Sequence, residues 1–300
     1  TTANITARGL TVTATNQTKT YGDSSLGSSA FTSSGLQNGE TIGSVTLSTN
    51  ATTSTSGNHN VGSWIITPSA ATGGTFTSSN YSITYNTGTH TVNTKELTVS
   101  NVTANAKVYD GLTTASLNLG TAAFVGVVGT DIVTINTASA TGTFANPNVG
   151  TGITVTVSGI AKAGADNANY TITQPTTTAN ITARSLTVTA TNQTKTYGDS
   201  TLGTTLFTSS GLQNGETIGG VTLTSNSTLS TSGNYIVGSS TITPSAAIGG
   251  TFTITNYSVT YATGTLTMNA KALTVSNVTA NNKVYDGLTT ASLNLGTAAF

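Results

Sequence analysis

The sequence ANITARSLTVTATNQTKTYGD occupies residues 179–199 and returns at residues 3–23 as ANITARGLTVTATNQTKTYGD. Apolar side chains such as Leu186 and Val188 alternate with threonines along it, which is the period of two typical of a half-buried β-strand. No Gly or Pro lies between residues 179 and 197, so nothing in the segment indicates a flexible hinge. We therefore predict that the last strand of one module continues, across a single Arg-Ser step, into the first strand of the next. Modules joined in this way are expected to form an elongated rod.

The composition excludes several classes of protein. The net charge is zero, and only 6% of the residues are charged, against roughly a quarter in a typical soluble domain. The lack of a basic cluster argues against nucleic-acid binding, and the lack of Cys excludes disulfides and zinc-thiolate sites. No apolar run approaches the ~18 residues of a membrane-spanning helix. Because Thr, Ser, Gly and Asn are poor helix formers, an all-β fold is predicted.

The chain repeats with a period of 176 residues. Tyr21 returns as Tyr197, and residues 1–124 align without a gap with residues 177–300, being identical at 100 of 124 positions. A weaker internal echo, Leu-Thr-Val followed by a spacer and then Lys, Tyr, Asp and Gly, divides each repeat into two related modules, A and B.

The module boundaries follow from this alignment. We assign residues 1–7 to the end of a preceding B module, 8–94 to module A1, 95–183 to module B1, 184–270 to module A2 and 271–300 to the start of a second B module, B2. A sequence that starts and stops within a module is expected to be a window on a longer array. Short strand-like segments separated by turn residues predict that each module is a small antiparallel β-sandwich or a β-grasp-like sheet.

A turn motif marks each module: KTYGD in the A modules and KVYDG in the B modules. We expect each tyrosine to be a packing anchor with its hydroxyl hydrogen-bonded, and each Asp to cap a turn beside a Gly that can take a positive φ. These structural residues are Tyr21, Gly22, Asp23, Tyr109, Asp110, Gly111, Tyr197, Gly198, Asp199, Tyr285, Asp286 and Gly287. The alternatives are that the tyrosines stack on sugars and that Asp110 or Asp286 binds a calcium ion.

These motifs carry a resemblance to known families. KTYGD, together with GLQNGET at 35–41 and 211–217 and the ending NYSIT or NYSVT, resembles the mostly-beta glycine-rich (MBG) domain. KVYDG at 107–111 and 283–287 resembles the YDG domain. Such modules are similar to the repeats of large bacterial surface adhesins of the filamentous-haemagglutinin type. The resemblance implies an extracellular location on the bacterial cell surface, and it supplies no catalytic residue.

The function expected from these observations is a stalk segment of a surface adhesin, a rigid spacer without catalysis or cofactor. Its expected partners are the neighbouring modules of the same chain, and lateral self-association is a further expectation. The ligand of a host or other surface stays open. The alternatives are a self-assembling extracellular filament and modules that bind glycan or protein weakly and multivalently.

Two other pairs of residues carry side chains that could form a site. His59 and His90 align with Tyr235 and Leu266 in A2, so we expect neither a metal site nor a catalytic base at these positions. Lys107 and Asn169 form a candidate pair for an isopeptide bond between the first and last strands of module B1.

Overall fold

A computed structural model describes the whole chain, Thr1–Phe300. It confirms the all-β prediction, because the only helices are three single 3-10 turns, Ser78–Asn80, Asn167–Asn169 and Ile254–Asn256. None of these turns approaches the length and apolarity that a membrane-spanning helix needs. The chain divides into two compact units. The first contains Thr1–Lys107 and Leu112–Ile181, and the second contains Val108–Gly111 and Thr182–Phe300.

Module A1 consists of two sheets packed face to face. Their strand orders are β3-β1-β6 and β2-β7-β5-β4. The strands are β1 (Arg8–Ala14), β2 (Gln17–Thr20), β3 (Phe31–Ser34), β4 (Ser44–Thr49), β5 (Gly62–Thr72), β6 (Tyr81–Asn86) and β7 (Gly88–Asn93). Leu10 and Val12 of β1 are buried against Val45 and Ala71 of the other sheet. The alternation seen in the sequence therefore separates a core face from a solvent face.

The sheets are mixed, whereas we expected antiparallel modules. Strand β1 pairs with β6 in parallel, and β2 pairs with β7 in parallel. The reason is that residues 8–20 and 81–93 run side by side in the same direction and cross together from one sheet to the other. At the crossing, Thr89 N donates to Asn16 Oδ1 over 2.8 Å. Gly88 lies so close to Ala14 that a Cβ at position 88 would be 2.5 Å from the Ala14 carbonyl oxygen.

Module B1 has more and shorter strands. Its largest sheet has the order β10-β19-β16-β15-β11, and a second sheet has the order β13-β8-β18. The strands are β8 (Lys95–Ser100), β9 (Thr103–Ala104), β10 (Lys107–Val108), β11 (Thr114–Ala115), β12 (Leu117–Asn118), β13 (Ala123–Val125), β14 (Thr134–Asn136), β15 (Thr141–Phe144), β16 (Gly150–Ser158), β17 (Ala161–Ala163), β18 (Tyr170–Ile172) and β19 (Thr176–Thr182). Strands β9 and β12 pair with each other, as do β14 and β17.

Module A2 repeats the two sheets of A1, with the orders β22-β20-β25 and β21-β26-β24-β23. Its strands are β20 (Arg184–Ala190), β21 (Gln193–Thr196), β22 (Phe207–Ser210), β23 (Ile218–Ser225), β24 (Gly238–Gly250), β25 (Tyr257–Ala262) and β26 (Gly264–Asn269). Residues 271–300 are exposed along their length and contain the short pair β27 (Thr279–Ala280) and β28 (Leu293–Asn294).

The strands that link modules follow each other closely. Only Thr94 separates β7 from β8, and only Ala183 separates β19 from β20. The strand that runs from B1 towards A2 is therefore interrupted at Ala183, one residue before the Arg-Ser step at which we expected the two modules to meet. The cause is that Arg184 is already paired with Tyr257 in the parallel ladder of β20 and β25.

The turns of A1 provide a test of the packing. Gly74 and Gly39 have similar positive φ values, 74° and 72°, but a Cβ at Gly74 would lie 2.1 Å from the Thr41 carbonyl oxygen, whereas a Cβ at Gly39 would meet nothing within 4 Å. An L-residue in this conformation costs roughly 1–2 kcal/mol at either position, and the clash should add about 1–3 kcal/mol at Gly74 alone.

We therefore expect Gly74→Ala to destabilise A1 clearly more than Gly39→Ala does. Hydrogen exchange read by mass spectrometry on A1 peptides measures both losses, with A2 as the internal reference. Equal losses in the two variants would contradict the close approach at Gly74.

Candidate functional site: carboxylates that hold paired tyrosines

The KTYGD turns of the two A modules are each closed by hydrogen bonds to their aspartate. In KTYGD the Asp23 carboxylate accepts hydrogen bonds from the Ser25 amide and hydroxyl and from Lys19 Nζ, the last over 2.9 Å. The bonds from Ser25, followed by that from Lys19, lower the pKa of Asp23 to about 2. Asp199 is held in the same way by Thr201 and Lys195. In both A modules the aspartate stabilises its own turn, and Gly22 and Gly198 supply positive φ values of 99° and 102°.

In the first unit, Tyr21 of A1 meets B1 at the carboxylate of Asp131. The Tyr21 hydroxyl donates to this carboxylate, and the Tyr170 hydroxyl donates to the same oxygen over 2.6 Å. Ser56 N donates to the other oxygen over 3.1 Å. The rings of Tyr21 and Tyr170 meet edge to face with their centroids 5.2 Å apart. One carboxylate thus holds two phenols that come from different modules.

Hydrogen bonding sets the protonation states of Asp131 and of the two tyrosines that bind it. Burial alone would raise the pKa of Asp131, but hydrogen bonds from Tyr170, Tyr21 and Ser56 lower it to about 2. Burial and the bond to Asp131 raise the pKa of both tyrosines above the ordinary value of 10.0. At neutral pH the phenols therefore keep their protons and the carboxylate is charged, which is the arrangement that makes strong hydrogen bonds.

A loop of A1, residues 54–61, completes this junction. Thr55 N donates to Asp166 Oδ1 over 3.2 Å, and Val61 N donates to Asn169 Oδ1 over 2.9 Å. Asp166 and Asn169 are both buried. Buried polar groups stabilise a fold only when they are paired. Here the Asp166 and Asn169 side chains accept hydrogen bonds from backbone amides of the loop that are not paired in a β-sheet.

In the second unit, Tyr109 of the KVYDG turn meets A2 at the carboxylate of Glu216. The Tyr109 hydroxyl donates to Glu216 Oε1 over 2.8 Å, and the Tyr257 hydroxyl donates to Oε2. The two rings meet edge to face with centroids 5.4 Å apart. Burial and the bond to Glu216 raise the pKa of Tyr257 to about 12. The arrangement at Asp131 is thus repeated with a different carboxylate.

Backbone contacts fix the KVYDG turn in place. Tyr109 N donates to the Thr182 carbonyl oxygen over 2.9 Å, and Asn214 Nδ2 donates to the Asp110 carbonyl oxygen over 3.1 Å. Gly111 has a φ of 74°, and a Cβ there would lie 2.1 Å from Asn214 Nδ2. The glycine of this motif is therefore required both for the turn and for the approach of Asn214.

Tyr197 and Tyr285, which repeat Tyr21 and Tyr109, do not contact a carboxylate of another module. The Tyr197 hydroxyl lies 3.0 Å from Ser230 Oγ and 3.3 Å from Ser232 Oγ. Tyr285 is 94% exposed, whereas Tyr21 and Tyr109 are 2% and 4% exposed. Next to Tyr285, the Asp286 carboxylate accepts from Lys283 Nζ and from Leu288 N. Gly287 has the same φ of 74° as Gly111.

The two histidines form a contact within A1. His59 Nδ1 lies 3.2 Å from His90 Nε2, and the rings meet edge to face at 5.2 Å. His90 is fully buried, and its Nδ1 has no hydrogen-bond partner. Burial, and then the charge of His59, lower the pKa of His90. In A2 the matching Tyr235 and Leu266 pack together in an apolar core.

The proposed isopeptide pair is not brought together. Lys107 Nζ donates to the carbonyl oxygens of Leu112 and Thr114 over 2.6 and 3.0 Å. The Asn169 amide is engaged by Val61 N and by Asn60 Oδ1. The hypothesis of a bond between Lys107 and Asn169 was wrong, because Asn169 faces the loop of A1 rather than β10.

Sequence reasoning missed the partners of the motif tyrosines. Asp131 stands alone among uncharged residues with no local motif, whereas Glu216 lies in the GLQNGET segment, in which nothing indicated that it accepts a tyrosine from another module. A signal was present for the second tyrosine of each pair, since Asn-Tyr occurs near the end of both kinds of module. In each case a 3-10 turn ends in this Asn and a strand begins at the Tyr, as at Asn169 and Tyr170.

The arrangement joins side chains of neighbouring modules. No three His, Cys, Asp or Glu side chains lie together in a group that could hold a metal ion. The protonated phenols and the ionised carboxylate satisfy one another.

Comparison with known proteins assigns the modules. The family model of the MBG domain (YGX type) matches residues 10–91 and 186–267, and that of the YDG domain matches residues 93–179. No curated protein sequence matches the chain.

Among solved structures, Drosophila N-cadherin EC1-4 aligns at 8% identity over 86% of this chain and 74% of its own, with a TM-score of 0.18. Drosophila N-cadherin EC1-3 aligns at 8% identity over 86% and 99%, with a TM-score of 0.19. These TM-scores are too low for the likeness to support an argument.

The carboxylate at the first junction can be tested by Asp131→Asn. The amide offers one oxygen where the carboxylate offers two, so its NH2 group must oppose either the two phenols or the Ser56 amide. We expect the first unit to lose about 1–3 kcal/mol of stability. Asp23→Asn removes the same charge from an exposed turn and should cost less. Hydrogen exchange of A1 and B1 peptides gives both values, and an equal cost would contradict the assigned role.

The histidine pair predicts acid sensitivity confined to A1. Because the pKa of His90 is lowered from 6.5, the unfolded chain binds more protons than the folded chain below about pH 6.5, and stability falls as the pH drops through that value. The double variant His59→Tyr, His90→Leu carries the residues of A2 and should lose this dependence. Hydrogen exchange between pH 7.5 and 5 measures it. Wild-type A2 is the reference, and an unchanged pH dependence in the variant would overturn the assignment.

Proposed function

The chain belongs to the MBG domain family of the YGX type, and from this we propose that it is a repetitive structural segment of a bacterial surface adhesin. MBG and YDG domains are repeat modules typical of surface adhesin-like proteins. The proposed role is that of a stiff spacer in a stalk, on the outside of a bacterial cell. In this role the chain performs no catalysis and needs no cofactor.

One observation carries the proposal: the side chains that could perform chemistry are used to join modules. In the first unit Asp131 of B1 holds Tyr21 of A1, and the amides of the A1 loop are bound by Asp166 and Asn169. A hydrogen bond to a charged group is worth about 1.5–3 kcal/mol. Several such bonds around one aromatic contact resist a change in the angle between A1 and B1.

The arrangement of the strands supports the same role. Only Thr94 lies between the last strand of A1 and the first strand of B1. Val92 and Leu97, on either side of this residue, belong to one buried cluster with Tyr21 and Tyr170. A linker of one residue inside a shared apolar core leaves little freedom for bending at this point.

Sugar binding by the motif tyrosines is the weaker alternative. Stacking on a sugar requires an accessible ring face, and Tyr21 and Tyr109 are almost fully buried. Weak multivalent binding by the modules would have to use other side chains. The burial of both rings therefore favours the structural role.

The proposal is tested on the cells that produce the protein. Immunogold electron microscopy with an antibody raised against the 300-residue chain should place the label along thin fibres at the cell surface. Antibody absorbed beforehand with the purified chain is the control and should leave the fibres unlabelled. Label confined to the cell interior, or to compact particles in the medium, would overturn the stalk proposal.

A further inference from the structure

The two histidines of the chain, His59 and His90, lie together in A1. His90 is on β7 and is fully buried. His59 is on the loop of residues 54–61, whose amides bind Asp131, Asp166 and Asn169 of B1. All the imidazole groups of the chain are therefore at one place, beside the junction of A1 with B1.

The surroundings of His90 leave part of its ring unpaired. Its Nδ1 has no hydrogen-bond partner, and neither has Nε2 of Gln17, the residue that pairs with His90 in the ladder of β2 and β7. A buried polar atom without a partner lowers the stability of a fold. A2 has Leu266 at the position of His90, within an apolar core. A buried imidazole in A1 therefore points to a ligand that a leucine cannot bind.

The two rings are spaced as ligands of one metal ion. Nδ1 of His59 lies 3.2 Å from Nε2 of His90, and the ring centroids are 5.2 Å apart. Two imidazole nitrogens that lie about 2.0–2.1 Å from one tetrahedral Zn²⁺ are about 3.3–3.4 Å apart. The ring centroids are then about 3.2 Å from the ion and about 5.2 Å from each other. Both distances in A1 agree with a shared ion.

A hollow on the surface of A1 gives access to His59. It is lined by Ser24, Leu26, Gly27, Leu47, Ser48, Thr49 and His59. In A2 the residue at the position of His59 is Tyr235, which packs with Leu202 and Leu223. An ion would reach the histidines of A1 from this hollow, and water from it would complete the ligand shell.

The charges around His90 admit a cation. Besides His59, the charged residues that act on His90 are Lys19 and Asp23, which form an ion pair over 2.9 Å. Their opposite charges largely offset each other at the histidine. Burial lowers the pKa of His90 from 6.5, so the ring is uncharged at neutral pH, as a metal ligand must be.

We propose that His59 Nδ1 and His90 Nε2 bind a divalent transition-metal ion such as Zn²⁺. Imidazole is a ligand for Zn²⁺, Cu²⁺ and Ni²⁺, whereas Ca²⁺ and Mg²⁺ select oxygen ligands. Two protein ligands are fewer than the three or four of resident zinc sites, so binding should be reversible and in the micromolar range. The loss of both histidines in A2 argued against a site shared by every module, and the proposed site belongs to A1 alone.

The bound ion would also fasten the loop that joins A1 to B1. His59 lies between Ser56 and Val61, whose amides are bound by Asp131 and Asn169. An ion shared with His90 connects this loop to β7. We therefore expect Zn²⁺ to slow the hydrogen exchange of residues 54–61.

Metal titration of the untagged 300-residue chain tests the proposal. Isothermal titration calorimetry with Zn²⁺ at neutral pH should show a single site. Co²⁺ in place of Zn²⁺ should give the strong visible absorption of a tetrahedral ion. His59→Tyr and His90→Leu should each weaken binding by at least about tenfold, and the double variant should bind no ion.

Matched controls separate the site from folding and from other ligands. The double variant carries the residues of A2 at both positions, and hydrogen exchange of A1 without metal should show that it is folded. Asp199→Asn removes an exposed carboxylate of A2 and should bind Zn²⁺ like the wild type.

Three results would overturn the proposal. The first is no binding up to about 1 mM Zn²⁺, a range in which even weak sites fill; the histidines would then only hydrogen-bond each other. The second is binding that survives in the double variant, which would mean an adventitious ion only. The third is unchanged binding by His90→Leu, which would mean that His59 binds alone. None of these results depends on where the protein lies in the cell, so the stalk proposal is decided separately.

Discussion

A carboxylate taken partly out of water must be given hydrogen-bond donors, and this chain gives each junction carboxylate two tyrosine hydroxyls. Asp131 holds Tyr21 and Tyr170, and Glu216 holds Tyr109 and Tyr257. A phenol is well suited to the task because its ring fills an apolar contact while its hydroxyl reaches the charge. One carboxylate and two tyrosines therefore provide both apolar packing and hydrogen bonds to the charge at the same place. This arrangement accounts for the burial of Tyr21 and Tyr109.

The clusters at Asp131 and at Glu216 are built in the same way. In each, one module contributes both the carboxylate and a tyrosine that begins the penultimate strand of that module. The other module contributes a single tyrosine from a turn. Asp131 and Tyr170 belong to B1 and receive Tyr21 of A1, whereas Glu216 and Tyr257 belong to A2 and receive Tyr109. Each kind of module thus carries one acceptor and one inserted tyrosine.

Local features of the sequence were sufficient for the strands and the turns. The alternation around Leu10 and Val12 predicted a half-buried strand, and these residues are in the core. The long-range partners could not be predicted, because Tyr21 and Asp131 are 110 residues apart and nothing near either residue specifies the other. The parallel pairing of β1 with β6 was missed for a similar reason. Period-two alternation defines the faces of a strand but not the direction of its neighbour.

The differences between A1 and A2 show where the constraint lies. His59 and His90 touch in A1, and both are replaced in A2, by Tyr235 and Leu266. Two positions in contact can change together when each substitution suits the other, because a core needs volume and apolarity more than particular residues. The acceptor residues do not vary in this way: Gln37, Asn38, Glu40, Asn80 and Tyr81 are all retained as Gln213, Asn214, Glu216, Asn256 and Tyr257. In A2, Asn214, Glu216 and Tyr257 contact the turn of B1 that carries Tyr109. Buried apolar residues such as Leu10 and Val12 are retained as well, as Leu186 and Val188, so the variation at His59 and His90 is local to that contact.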